Sequence, residues 1–344
     1  MKFAVDENIP YIAGRLEPLG EVIYLDQNAF TPETVADRDA LLIRTRTRCN
    51  KALLEGSRTR LVATATIGVD QIDIPWCESA GITVCNSPGC NAPAVAQYVW
   101  AAVNCLLTGG DGVADLSGKR VGVVGCGHVG GIVADWGRRF GADVVVSDPP
   151  RERAGFADNY LPLDELLATS DIITLHTPLT RTGEDATFHL IGERELSLLK
   201  DGAILVNAAR GPVVDSKALK EAVGSPADGR GRFRTIIDTW EGEPALDEDL
   251  LRLVDIGTFH IAGYSRQGKE RATRMVLEAV ERRFGVSVDK SGLEGDYRPD
   301  PELTLADVAA SYDPRVDHRA LLASPGAFEQ LRHDYDYRKE ACRR

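Results

Sequence analysis

Val121-Gly122-Val123-Val124-Gly125-Cys126-Gly127-His128-Val129-Gly130 is the stretch that decides the fold. An apolar run leads into three glycines spaced G-x-G-x-x-G. The next apolar run, Asp143-Val-Val-Val-Ser-Asp148, ends in an acid 18 residues after Gly130. Strand, glycine turn, helix start and second strand with a terminal carboxylate together form the dinucleotide-binding pattern. Gly125 permits the tight turn, Gly127 lets the backbone approach a pyrophosphate, and Gly130 lets the helix pack close on the strand. His128 and Val129 open that helix, whose first N–H groups lack intrahelical partners and can face phosphates. A carboxylate at Asp148 accepts hydrogen bonds from ribose hydroxyls and repels a 2′-phosphate, so the expected cofactor is NAD rather than NADP.

Outward from this stretch, short apolar runs alternate with helical ones, the pattern of an α/β protein with parallel sheets. Upstream, strands are expected near residues 2–6, 21–25, 40–44, 61–66 and 83–86. A mostly apolar helix over 92–107 has the length of a connector. Downstream, strands are expected at 120–124, 143–148, 171–176, 203–207, 234–238 and 256–260, then a helix over 266–284 that returns to the first domain. Residues 290–300 are polar and punctuated by Gly and Pro, and read as a linker. The organisation expected is a substrate-binding domain (1–95 and 264–286), a cofactor-binding Rossmann domain (96–263) and a small C-terminal dimerisation domain (287–344).

Composition narrows the classes. A chain of 344 residues with 43% hydrophobic and 27% charged residues is an ordinary soluble globular protein. A net charge of −12 argues against a nucleic-acid or anionic-membrane binder. The seven cysteines include no C-x-x-C pair and no zinc-finger spacing, so no metal site is expected. Scattered cysteines and a start without a signal-peptide pattern make a cytoplasmic location the expectation.

Three downstream segments fall where strands should end: Asn207-Ala-Ala-Arg210, Glu241-Gly242-Glu243-Pro244 and His260-Ile-Ala-Gly263-Tyr264. Ligands of open α/β sheets lie beyond the carboxyl ends of the strands. Arg210 offers a planar cationic fork for a carboxylate. His260 can take a hydroxyl proton as hydride leaves, and Glu243 can fix its tautomer and stabilise its cation. Each residue alone also has a plain structural reading. Arg210 could cap a helix or pair with Asp215, Glu243 could be a solvated loop acid, and His260 could be a satisfied core histidine.

With these segments in place the chain resembles the D-isomer-specific 2-hydroxyacid dehydrogenases, which carry Arg, Glu and His in this order. The resemblance rests also on Val5-Asp-Glu-Asn-Ile-Pro10, Ala63-Thr-Ala-Thr66-Ile-Gly68, Ser87-Pro-Gly-Cys-Asn91 and His176-Thr177-Pro178, and covers about residues 1–285 closely. Pro325-Gly-Ala-Phe-Glu-Gln-Leu-Arg332 resembles the family's C-terminal domain. It implies two Rossmann-like parallel-sheet domains and NAD-dependent oxidation of a small phosphorylated D-2-hydroxy acid by a homodimer. It implies Arg210, Glu243 and His260 as active-site residues. Asp148, Thr177, Asp238 and Gly263 would be NAD contacts, and Thr45, Thr66 and Tyr264 substrate contacts. If NAD stays bound through turnover, a 2-oxo acid is needed to reoxidise it.

A substrate with two anionic ends needs more than one cation. Arg44-Thr-Arg46-Thr-Arg48 is the densest basic segment near a strand end, and an extended chain would put its arginines on one face. Arg44 is the candidate phosphate ligand, against the alternative of a solvated basic edge. Arg338-Lys339 is a second basic pair, expected to reach a site from a dimer partner. Three departures stand out: Gln97 where the family usually has Glu, Thr45 where relatives often carry Ser, and a short stretch after Arg332, which bears on the dimer. Two other readings remain. One is a dehydrogenase for phosphoglycerate or an unphosphorylated D-2-hydroxy acid. The other is a non-enzymatic NAD-sensing binding protein.

Overall fold

The computed structural model describes residues 1–224 and 232–342. In the first sheet β1 (Lys2–Asp6), β2 (Glu21–Leu25), β3 (Ala40–Ile43), β4 (Leu61–Thr64) and β5 (Thr83–Cys85) pair in the order β2-β1-β3-β4-β5, all parallel. Its strands alternate faces as a period of two requires. Phe3, Val5, Leu42, Leu61 and Ala63 pack with Val276, Leu277 and Val280 of the Arg266–Phe284 helix. Their neighbours Ala4, Leu41, Ile43 and Val62 pack on the other side with Leu53, Leu54 and Cys77. Both faces are covered, so β3 and β4 are buried along their whole length and read as continuous apolar runs.

The second sheet contains β6 (Arg120–Val124), β7 (Asp143–Ser147), β8 (Ile172–Leu175), β9 (Ile204–Asn207), β10 (Arg234–Ile237) and β11 (Ile256–Gly257), in the order β11-β10-β9-β8-β6-β7. The strand order reverses at β6, and ligands of such sheets bind at the carboxyl ends beside that switch point. The Ala92–Thr108 helix is buried on nearly every side, and Trp100 donates its ring N–H to the Val133 carbonyl at 3.2 Å.

The chain divides into two compact units, Met1–Asn91 with Ser265–Arg298, and Ala92–Tyr264 with Pro299–Arg344. Residues 287–344, expected as one C-terminal domain, are therefore shared between the units. Leu303, Leu305, Val308, Leu321 and Phe328 bury themselves in the core of the second unit. Apolar residues this sparse lack the surface to build a core of their own. Several strands also end earlier than expected. β11 is two residues long instead of five, and three residues beyond it the chain takes a left-handed conformation at His260 (φ 59°). Among the described residues no helix is long and apolar enough to cross a membrane.

Candidate active site

The glycine turn leaves β6 with Gly125 at φ 84°, a conformation that favours glycine. A side chain there would also lie 2.9 Å from backbone atoms of His176 and Thr177, beyond β8. A Cβ on Gly130 would meet the Gly125 carbonyl at 1.9 Å, so the His128–Arg139 helix packs as closely as the sequence implied. Gly127 differs: a Cβ there meets nothing, and this N-cap makes no side-chain bond to the helix amides. The turn is thus a cradle with unclaimed N–H donors, which suits a pyrophosphate. Asp148, beyond β7, accepts the N–H groups of Cys126 (2.7 Å) and Arg151 (3.1 Å), which ties it to the turn. Each carboxylate oxygen keeps a lone pair for a ribose hydroxyl. The Thr177 hydroxyl is buried without a hydrogen-bond partner, an unmet polar group at the switch point. Val129 packs against the core from the helix start, whereas His128 is exposed.

Arg210, Glu243 and His260 follow three adjacent strands. At the end of β9, buried Asn207 shapes the turn that follows, accepting the Ala209 N–H (3.2 Å) and donating to the Arg210 carbonyl (3.1 Å). Arg210 donates to the Ala209 carbonyl at 2.9 Å. The next residue, Gly211, touches the loop beyond β10 so closely that a Cβ would fall 2.1 Å from the Trp240 carbonyl. That loop carries Glu243, whose Oε1 lies 2.5 Å from Nδ1 of His260 and whose Oε2 accepts the Trp240 N–H at 3.2 Å. Burial pushes the Glu243 carboxyl up. The His260 charge and hydrogen bond, the Trp240 N–H and the Arg332 charge outweigh it, holding the group below the ordinary glutamate value. Glu243 is therefore ionised near neutral pH. With Nδ1 on Glu243, no hydrogen bond among the described residues falls on His260 Nε2.

Asp238, expected beside the nicotinamide, is 1% exposed. Its Oδ1 accepts from the Thr258 hydroxyl (2.7 Å) and the Ile261 N–H (2.8 Å), and its Oδ2 from the Ala262 N–H (3.0 Å). Its visible work is to hold the turn that carries His260, Gly263 and Tyr264. Tyr264 N–H closes that turn on the Ile261 carbonyl at 2.8 Å.

Residues 107–262 match the model of the D-isomer specific 2-hydroxyacid dehydrogenase NAD binding domain. Erythronate-4-phosphate dehydrogenase of Bacteroides fragilis is 45% identical over 99% of this chain and 97% of its own length. The chain belongs to the erythronate-4-phosphate dehydrogenases of the D-isomer specific 2-hydroxyacid dehydrogenase family. The enzyme of the same name from Porphyromonas gingivalis is 41% identical over 99% of this chain and 94% of its own. Among solved structures, D-lactate dehydrogenase of Aquifex aeolicus complexed with NAD and lactic acid aligns at a TM-score of 0.66 and 26% identity, over 82% of this chain and 94% of that one. The protein is an NAD-dependent oxidoreductase with a Rossmann-type NAD-binding domain, and the cradle at Gly127 and the unpartnered Thr177 hydroxyl fit that cofactor.

Sequence reasoning did not single out two groups of the second unit. Arg332 donates to the Tyr264 hydroxyl at 3.2 Å, and its charge reaches Glu243. Its only signal was its place at the end of a family-like C-terminal segment. His189 stands with Nε2 2.8 Å from Glu241 and Nδ1 3.5 Å from Asp215. Glu241 also accepts the Ser216 N–H at 3.2 Å. One ligand atom from each of His189, Asp215 and Glu241 lies within 4.8 Å of the others, a spacing that a metal ion could bridge. Each ring nitrogen already faces its own carboxylate, so the cluster reads as a clasp between the Arg210–Asp215 and Trp240–Glu243 loops.

In the first unit the Arg44 guanidinium donates to the Asn8 carbonyl at 3.0 Å. The chain bends at Thr45 and Arg46, so the extended segment with three arginines on one face is not formed. Thr45 is exposed. The Thr66 hydroxyl lies 2.7 Å from that of Thr64 and donates to the Gly68 carbonyl at 3.1 Å.

Proposed function

We propose that the protein oxidises 4-phospho-D-erythronate to 2-oxo-3-hydroxy-4-phosphobutanoate, a step of pyridoxal 5′-phosphate biosynthesis. The two erythronate-4-phosphate dehydrogenases that the chain resembles over nearly its full length supply the substrate. The observation that carries the chemistry is His260, bound to ionised Glu243 through Nδ1 with Nε2 left to accept a proton. NAD, when bound, accepts the hydride from C2. Gly125, Gly127, His128, Val129, Gly130, Asp148, Thr177, Asp238 and Gly263 are the residues we assign to holding it. Arg210 grips the substrate carboxylate with its planar guanidinium fork. His260 Nε2 takes the C2 hydroxyl proton as the hydride leaves, so the carbonyl forms with no charge left on oxygen. Glu243 keeps Nδ1 protonated and offsets the imidazolium.

Thr45, Thr66 and Tyr264 are assigned to substrate contacts, and Arg44 to the phosphate. The second unit's helix Pro314–Ala323 exposes Val316 and Leu322, which supports a homodimer built on the C-terminal segment. All seven cysteines are free thiols, which supports a reducing, cytoplasmic location. The test is NADH formation from 4-phospho-D-erythronate, with and without 2-oxoglutarate, beside 3-phosphoglycerate and D-lactate. The expected result is strong preference for the first. Turnover of another acid instead would keep the fold, the cofactor and the Arg210/Glu243/His260 chemistry and discard the substrate.

A further inference from the structure

The turn that carries His260 is gripped from two sides by opposite charges. Asp238 takes the N–H groups of Ile261 and Ala262. Their carbonyls are taken by Arg338, from the end of the chain: Nη1 donates to the Ile261 oxygen at 2.9 Å and Nη2 to the Ala262 oxygen. The same guanidinium donates to the Ala94 carbonyl (3.1 Å) and to Gln97 Oε1 (3.3 Å), and lies over the Tyr312 ring. Gln97, fully buried on the Ala92–Thr108 helix, holds the tail in turn through its amide N–H groups, which donate to the Ser311 hydroxyl and the Lys339 carbonyl. Arg338 is thus turned inward onto its own chain, not outward to the site of a dimer partner.

We infer that Arg338 is a positioning residue for His260. His260 sits in the left-handed region, which a non-glycine residue keeps only where its surroundings over-determine it. Asp238 holds the N–H and Arg338 the carbonyl of the Ile261–Ala262 peptide. Asp238 also holds the N–H of the peptide before it and Arg338 the carbonyl of the peptide after it. Neither bond alone stops the Ile261–Ala262 peptide from rotating, and both together do. A rotation of that peptide would swing His260 off Glu243. Removing Arg338 therefore lowers the rate of proton transfer without touching the glycine turn that binds the cofactor. This inference rests on the proposal that His260 accepts the substrate proton.

The test uses the full chain as Arg338→Ala and Arg338→Lys, with Arg315→Ala as a surface control. Three quantities are read: kcat and KM for 4-phospho-D-erythronate, the Kd for NAD, and hydrogen exchange at the amides of residues 261–263. For Arg338→Ala the expectation is a fall in kcat of about 10- to 100-fold, from the loss of charge-assisted bonds. Exchange at 261–263 should be faster, and the Kd for NAD should change far less than kcat, because the Gly125–Gly130 turn is untouched while only Gly263 lies on the loosened segment. Arg338→Lys should recover part of the rate, and millimolar methylguanidinium should restore part of it in Arg338→Ala. Unchanged exchange, or faster exchange with kcat intact, overturns the inference. Loss of NAD binding and activity together, with no rescue by lysine or methylguanidinium, also overturns it and leaves Arg338 a folding residue. Hydrogen exchange needs no substrate. If the unaltered protein oxidises none of the acids, the functional reading fails while the exchange arm still reports whether Arg338 holds the turn.

Discussion

Glu241 and Glu243 stand two residues apart on one loop, and each binds a histidine held in the left-handed region: His189 at φ 52° and His260 at φ 59°. The two pairs look alike and are wired differently. His260 touches one carboxylate, at 2.5 Å through Nδ1, so its second nitrogen is available for chemistry. His189 is flanked by two, Glu241 at 2.8 Å from Nε2 and Asp215 at 3.5 Å from Nδ1, so both ring nitrogens face a carboxylate. The lesson is that a His–carboxylate contact is not a signature of catalysis. What separates an acid–base from a clasp is whether the other ring nitrogen is spent.

The comparison is sharpened first on the Arg210 side, where the clasp sits. Arg210→Ala leaves the substrate carboxylate without its partner, and kcat/KM should fall about 10²- to 10³-fold, since breaking such a charge pair costs roughly 2–5 kcal/mol. Steady-state kinetics would show it mainly in KM, and an unchanged KM would remove Arg210 from the site. Glu243→Gln keeps the shape but removes the charge opposite His260. A hydrogen bond to a charged group contributes about 1.5–3 kcal/mol, so kcat should fall about 10- to 100-fold. NAD affinity, read by calorimetry, should hold. A change of less than twofold in kcat would break the pairing.

His189→Ala should act more weakly, because the clasp is half-exposed and works at a distance from the reaction. About threefold to tenfold in KM for the acid substrate is expected, equivalent to roughly 1 kcal/mol of lost hydrogen bonding. His189→Gln, which keeps a donor for Glu241, should recover most of it. A large loss of kcat in either variant would mean that the two histidines had been assigned the wrong way round.

The effect with no expected bearing on turnover concerns His176, beyond β8, whose pKa burial pushes down to about 3. Above the unfolded-state pKa, near 6.5, the group is neutral in both states and costs nothing. As pH falls below it, the unfolded chain binds a proton that folded His176 refuses, so stability is lost on the acid side at up to about 1.4 kcal/mol per pH unit. Between neutral pH and about pH 5 this amounts to roughly 2 kcal/mol. A His176→Asn variant should therefore lose less stability over that interval, measured as urea midpoints at the two pH values. Equal losses in both proteins would show that His176 takes up its proton in the folded state.

The parts that were legible in the sequence are those with a local physical code. Gly125, Gly127, Gly130 and Asp148 announce themselves because a turn, a close approach and a helix N-terminus each demand one residue type at one spacing. The apolar runs of β3, β4, β8 and β9 announce buried parallel strands. Arg210, Glu243 and His260 were readable because each follows such a strand. The clasp at His189 was not, because its partners Asp215 and Glu241 lie 26 and 52 residues away and only the β9–β10 pairing brings their loops together. The arginine segment at 44–48 misled because alternation fixes a face only while the chain stays extended, and it bends at Thr45. Arg338 and Gln97 both stood out in the sequence, but their contact was not legible there, since a docked tail is decided by carbonyls far away in the chain.

The most direct test of the account is a parallel measurement on His260→Gln and His189→Gln: single-turnover NADH formation from 4-phospho-D-erythronate at saturating NAD. The account predicts that His260→Gln slows the burst by about 10²- to 10⁴-fold, the usual contribution of a general base, while His189→Gln stays within about threefold of the unaltered protein. Equal slowing of both, or a fast burst from His260→Gln, would contradict it.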